Sequence, residues 1–512
     1  MKIIKVNFVL FLFSMISIFS FCKVPKLGVV IVIDQFAHSY LRKVEPHLTG
    51  GLKFLLDNGV VYDKAIHPHS GPSTSIGHTA LSTGCFARDH GIIGNKWYEN
   101  GKKLRCYKTD RREEAVFAPF GVYEHGGSAR RLMVDGVSDQ FVRASKHSEK
   151  NKVFCVSLKR RSAIGMANKL GKAIWFDKEA MQFTTSRAYF DRMPRWLEEF
   201  NKNNKVSVIP PWLLKHGANR LPYSMARENI YEFSGYEFSL IGAGARKRQL
   251  DSADELFTRT PAANALVLKL ARTCLDTHFK ADASGNMLLW VSLSPLDPLG
   301  HMYGPDSKEV LDMIYHLDEQ LNDFIKFIQS KVESKEDLLL ALTADHGVMP
   351  IIEHMMSGGY TNAHRLSAER LMKNMNNLVA KVFGVRNLVA KFQSPQFFFD
   401  KNVWNTVSEK EKEAIILSLK GYLTKVPGIQ TGWAERELVN MCCDEGSIDW
   451  YFKNQFFPGR SGDLTCRCFP YTMIIDKPKG TSHKTPYDYD THVPLVLYQE
   501  GSIEKKRVCE KV

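Results

Sequence analysis

The chain has 512 residues, 44% hydrophobic and 24% charged, the balance of a globular protein with a sizeable core; disordered and repeat architectures are excluded. Its formal net charge of +14 favours anionic substrates or acidic surfaces. No zinc-finger spacing, RNP-like aromatic motif or dense Lys/Arg tail accompanies that charge, so nucleic acid is not expected as a specific partner.

At the N-terminus, Lys2 and Lys5 precede an uncharged stretch, residues 6–22, rich in Phe, Leu, Ile and Ser. This reads as a secretory signal peptide, residues 1–22, with Ser20 and Cys22 small enough for a cut after Cys22. An uncleaved anchor is the alternative, but the run is short for a full span. A secreted or periplasmic protein with no stable span is the expectation. Loss of Cys22 would leave nine of the ten cysteines. Cys442-Cys443 and Cys466-x-Cys468 lack the spacer of about two to four residues usual for zinc sites, and read as disulfides or free buried thiols.

The mature chain begins with Gly28-Val29-Val30-Ile31-Val32-Ile33, a β-branched run that predicts a buried parallel strand, and Asp34 follows it. That places an acid at the sheet edge where open α/β folds bind ligands, although an aspartate there also commonly makes a turn. Residues 50–59 predict a short helix closed by Gly59. Next comes Pro72-Ser73-Thr74-Ser75-Ile76-Gly77-His78, hydroxyls just ahead of an apolar run that can start a helix. Such hydroxyls cap helices, and they also face free N–H groups at the positive helix end, a natural anion seat. Thr74 or a neighbouring serine is therefore a candidate nucleophile. His90-Gly91-Ile92-Ile93-Gly94-Asn95 follows.

A second strand, residues 153–158, runs into Lys159-Arg160-Arg161, either a solvated face or a clamp for phosphate oxygens. The span from about 165 to 285 is less regular, and its Trp175, Trp196 and Trp212 either shape a substrate site or pack. Gly242-Ala243-Gly244 lacks the third glycine and the preceding strand of a nucleotide loop. A third strand, residues 288–293, leads to Asp297 and His301, and an amphipathic helix over 309–328 follows. A fourth strand, residues 338–343, ends at Asp345-His346. A second insertion covers about 360–468, then come Ser482-His483, a last strand near 493–498 and a basic tail, 503–512. The pattern predicts an α/β fold, a central mostly parallel sheet with helices on both faces, as one catalytic unit over 23–502.

Asp34, Asp297, His301, Asp345, His346 and His483 are the ligand types a pair of zinc ions needs, with no thiolate required. Together with Thr74 they resemble the alkaline phosphatase superfamily, above all its bacterial periplasmic members with a threonine nucleophile. Nucleotide pyrophosphatase/phosphodiesterases are nearer siblings than sulfatases, whose Cys or Ser ahead of Pro-x-Arg is missing. The resemblance spans residues 29 to about 498. It implies an alkaline phosphatase-like fold and selects Thr74, four residues before His78, over Ser73 and Ser75. It further implies that Asp34, Thr74, Asp345 and His346 hold one zinc, and Asp297, His301 and His483 the other. Asn95 would bind a phosphate oxygen. Ser157-Leu158-Lys159-Arg160-Arg161 is similar to the Ser-x-Lys-x-Arg element of phosphomonoesterases, which would give Lys159 and Arg161 the remaining oxygens. The implied activity is hydrolysis of small phosphate monoesters through phospho-Thr74. The alternatives are a phosphodiesterase of the same fold and a non-catalytic anion-binding relative. Two departures stand out: Ile76 where relatives commonly have proline, and Lys484 where a glycine usually follows the histidine. The added charge of Lys484 would weaken metal binding or tighten phosphate binding. His492 is a rival ligand near an aspartate, but the Thr-x-His placement favours His483.

Overall fold

The structure is a computed structural model that describes residues 24–99, 101–118, 121–144, 150–217, 219, 221–227, 253–282 and 284–512. The expected signal peptide, residues 1–22, and the Gly242 stretch lie outside the described residues. No helix among the described residues is long and apolar enough to cross a membrane.

The apolar runs form a nine-stranded sheet. In chain order its strands are β1 (Leu27–Ile33), β2 (Val60–Ile66), β3 (Lys152–Ser157), β4 (Lys172–Asp177), β5 (Gln182–Thr184), β6 (Met287–Leu293), β7 (Leu338–Thr343), β8 (His492–Tyr498) and β9 (Lys506–Lys511). Their order across the sheet is β5-β4-β3-β6-β1-β7-β8-β2-β9. The five strands from β4 to β7 in that order are mutually parallel. Only β5 and β8 run against the rest.

Alternation along the central strands explains why their sequences are apolar throughout. Leu27, Val29, Ile31 and Ile33 of β1 enter one core cluster, whereas Val30 and Val32 face another. Strand β6 divides likewise, Leu289 and Val291 on one side, Leu288 and Trp290 on the other. A sheet buried on both faces has no polar side to present. Helices α4 (Pro261–His278) and α6 (Lys308–Gln329) cover the first face, and α3 (Arg160–Ala167) covers the second. Helix α1 (Gly51–Asn58) packs against α6, and α2 (Thr74–Thr83) and α5 (Leu296–Tyr303) follow β2 and β6 in the chain.

Two sequence boundaries shift. Strands β4 and β5 lie within the span read as an insertion, yet they extend the central sheet. The aromatic residues there pack: Trp175 and Phe176 are core residues of β4, and Trp212 donates to Asp312 at 2.6 Å. The basic tail is likewise a strand, β9, parallel to β2 at the sheet edge. Residues 360–468 do contain a separate layer, a four-stranded sheet with its own core under helices Ala368–Phe383 and Glu409–Leu423. All nine described cysteines are free, with Cys466 buried and Cys442 exposed.

Candidate functional site

Four adjacent parallel strands, β3, β6, β1 and β7, end on one edge of the sheet. Their carboxyl ends deliver, in that order, Lys159 and Arg161, Asp297, Asp34, and Asp345 with His346. That is the edge at which an open parallel sheet leaves room for a ligand.

The acids and histidines gather into two groups, Asp34–Asp345–His346 and Asp297–His301–His483, each with ligand atoms within 4.8 Å of one another. In the first group, His346 Nε2 lies 3.6 Å from Asp34 Oδ1 and 3.5 Å from Asp345 Oδ2. All three atoms are buried without a hydrogen-bond partner. In the second, His301 Nε2 lies 3.1 Å and His483 Nε2 3.9 Å from Asp297 Oδ1. The rings of His346 and His483 stack at 3.8 Å and join the groups. Each of the three imidazoles has Nδ1 on a backbone carbonyl: His301 on Thr481 at 2.9 Å, His346 on Gly347 at 2.9 Å and His483 on Pro72 at 2.7 Å. A carbonyl only accepts, so Nδ1 carries the proton and Nε2 turns a lone pair toward the carboxylates.

Buried lone pairs aimed at carboxylate oxygens are costly unless a cation lies among them. The charge states agree with such a use. Burial, then the neighbouring His346 and His301, hold the His483 pKa well below its ordinary value, which keeps the ring neutral. Burial and the Asp345 charge raise Asp34 to about 6. Burial also opposes ionisation of Asp345, but His346 and His78 outweigh it and hold its pKa low. Hard carboxylates with neutral imidazoles fit a zinc-class divalent ion in each group.

Thr74 opens helix α2. Ser73 precedes it in extended backbone and makes no side-chain cap, so the simple capping role of these hydroxyls is not used. Thr74 is 1% exposed, and Arg161 Nη2 reaches its Oγ1 at 3.4 Å. One turn later, His78 Nδ1 donates to the Thr74 carbonyl at 2.8 Å and lies 3.1 Å from Asp345 Oδ2. Its Nε2 accepts from Ser292 Oγ at 2.9 Å, so one buried imidazole ties the helix start to Asp345 and to β6. Asn95 Oδ1 accepts from Ser75 N at 3.0 Å, which leaves its amide Nδ2 as a donor.

Gly77 makes this packing possible, because a Cβ there would stand 2.0 Å from the carbonyl oxygen of Asp345. Gly77→Ala is expected to cost about 1–3 kcal/mol of stability and to weaken divalent-ion binding, since Asp345 must move. Urea unfolding and zinc titration check this, and unchanged binding would show that Asp345 tolerates the shift.

The structure brings together the six acids and histidines singled out as ligands, three in each group. Lys159 is more deeply engaged than the sequence implies: its Nζ lies 2.6 Å from Asp34 Oδ2 and also pairs with Asp297 Oδ2, bridging the two groups. Sequence reasoning missed Gln35. It is fully buried in left-handed backbone (φ 68°), its N–H donates to Asp345 Oδ1 at 3.0 Å and its Nε2 to Asp297 Oδ1 at 2.7 Å. Its position next to Asp34 was the only available signal. His492 stays outside both groups, stacked on His38 with Nε2 2.7 Å from the Asp63 carbonyl oxygen. Ile76, the departure from proline, is a fully buried core residue.

A family model described as type I phosphodiesterase / nucleotide pyrophosphatase matches residues 28–492. Alkaline phosphatase PafA of Elizabethkingia meningoseptica is 30% identical over 502 residues, covering 93% of this chain and 87% of that one. A Myroides odoratus protein described as a calcium-transporting ATPase is 27% identical over 498 residues, with the same 93% and 87% covered. The crystal structure of wild-type alkaline phosphatase PafA superposes with a TM-score of 0.82 at 26% identity, over 96% of this chain and 93% of that one. The chain belongs to the type I phosphodiesterase / nucleotide pyrophosphatase family, within the alkaline phosphatase superfamily, and is a phosphoester hydrolase.

Proposed function

We propose that the protein is an exported phosphomonoesterase that works with two zinc ions and a phospho-Thr74 intermediate. Export rests on the leader-like residues 1–22. The observation that carries the reading is the convergence of two cations on the candidate centre: Lys159 on Asp34 and Asp297, and Arg161 on Thr74. A monoester dianion rewards that positive charge, whereas a diester has one charge fewer and a second ester group to seat.

In this reading Asp34, Asp345 and His346, with Thr74, hold one ion, and Asp297, His301 and His483 hold the other. When bound, the ions supply Lewis-acid charge that acidifies nearby hydroxyls and stabilises a leaving alkoxide. Thr74 loses its hydroxyl proton to water, Oγ1 attacks phosphorus, the phosphorus–ester oxygen bond breaks, and the leaving oxygen takes a proton from water to depart as the alcohol. Water then cleaves the Thr74 ester and releases inorganic phosphate. Arg161, Lys159 and the free amide of Asn95 hold the phosphoryl oxygens during both displacements. Gln35 keeps Asp345 and Asp297 in register through its paired donations. A diesterase on the same residues is the second reading, favoured by the description of the matched family.

The test compares hydrolysis of p-nitrophenyl phosphate with that of its bis-ester, with and without a chelator. A monoester preference in kcat/KM of at least about 10²-fold is expected, lost with chelator and restored by Zn²⁺. The melting temperature should fall with the metal, because bound ions stabilise the folded state alone. A preference for the diester would overturn the monoesterase reading.

A further inference from the structure

Beside Thr74 a narrow cleft runs between the Asn95-Lys96 segment, the loop around Ser394 and Lys484. Its lining contains two lysines, Lys96 and Lys484, and no aspartate or glutamate. The hydroxyl of Ser73, 2% exposed and without a hydrogen-bond partner, also lines it. Such a buried hydroxyl is open to a bound acceptor or an ordered water.

Both lysines are held where the fold disfavours them. Lys96 lies directly opposite Arg105 in the hairpin of strands Lys96–Glu99 and Lys102–Arg105, and like charges so paired are destabilising. Lys484 adopts φ 102°, a backbone region that suits glycine and strains other residues. Both side chains line the same cleft, and no acid lies among its lining residues. A site that concentrates like charge with no acid to balance it is complementary to an anion. Ser73, next to Thr74, and Asn95, which accepts from Ser75 N, both line the cleft, so it adjoins the start of α2, where the phosphoryl group is proposed to sit.

We propose that Lys96 and Lys484 form a second anion subsite, which takes a carboxylate or phosphate carried on the alcohol part of the monoester. The inference rests on the monoesterase reading and narrows its substrates to monoesters with a further acidic group.

Three esters test it: 4-carbamoylphenyl phosphate, 4-carboxyphenyl phosphate and hydroquinone bisphosphate. The zinc-loaded enzyme at low ionic strength should favour an acidic ester over the carbamoyl ester by about tenfold in kcat/KM, the better of the two naming the preferred acid. The double variant Lys96→Met, Lys484→Gly should bring both ratios close to one. Salt at about 1 M should lower the ratios in the wild type only in part, because it screens charges more than about 3 Å apart. Glycine relieves the backbone at 484, so the variant should keep its melting temperature. Undiminished ratios in a folded double variant would overturn the subsite. Failure to hydrolyse any of the three esters would overturn the monoesterase reading on which it rests.

Discussion

Thr74→Ala should lower kcat for phosphate monoesters by at least about 10³-fold, some 4 kcal/mol of transition-state stabilisation, while the protein keeps its zinc. The hydroxyl is buried at the start of α2, within reach of Arg161, and nothing about its position serves the helix cap. Alanine preserves the scaffold, because His78 is held by the backbone carbonyl of residue 74 and not by its side chain. The proposed ligands Asp34, Asp345 and His346 also keep their side chains. Loss of turnover with metal retained therefore separates a nucleophile from a structural residue. Thr74→Ser should recover part of the rate, since it restores the hydroxyl with a freer rotamer. Metal analysis and single-turnover assays check both variants. Retained activity in Thr74→Ala would move the nucleophile to Ser73 or Ser75, whose hydroxyls are also buried.

Part of the candidate ligand set was legible because Asp34, Asp297, Asp345 and His346 come shortly after uninterrupted apolar strands, and such strands are recognisable when both faces are buried. Val29 to Ile33 announce Asp34 in this way, as Leu338 to Thr343 announce Asp345. Strand β9 offered no such signal. Lys506–Lys511 is mostly exposed and charged, and it is a strand only because the edge of β2 accepts it. Strands β4 and β5 were hidden for a related reason, since they are short and lie within an irregular, aromatic-rich stretch. Gln35 was invisible because its role depends on a left-handed turn that brings two distant carboxylates to one residue, at its backbone N–H and its side-chain amide. Lys484 was noticed as an added charge, but only the folded chain sets it beside Lys96. Local pattern carried the donors; contacts across hundreds of residues carried their arrangement.

Removing Lys159 and Arg161 together should lower kcat/KM for monoesters by about 10³–10⁴-fold and for diesters by no more than about tenfold. On an open surface two such cations would contribute little, because water screens them. Here the Lys159 side chain is 13% exposed and bridges Asp34 and Asp297, and Arg161 Nε is buried without a partner. Charge in such surroundings acts strongly on the extra negative oxygen of a monoester. The two single variants divide the effect. Arg161→Ala leaves both ligand groups intact and should act on substrate alone. Lys159→Ala also exposes Asp34 and Asp297 to mutual repulsion and should raise the demand for divalent ions, so it must be assayed at saturating zinc. The two residues share one network, and their losses should combine to less than the product of the single losses. Equal losses on monoester and diester would mean that the pair holds the ligand carboxylates in place and does not read substrate charge.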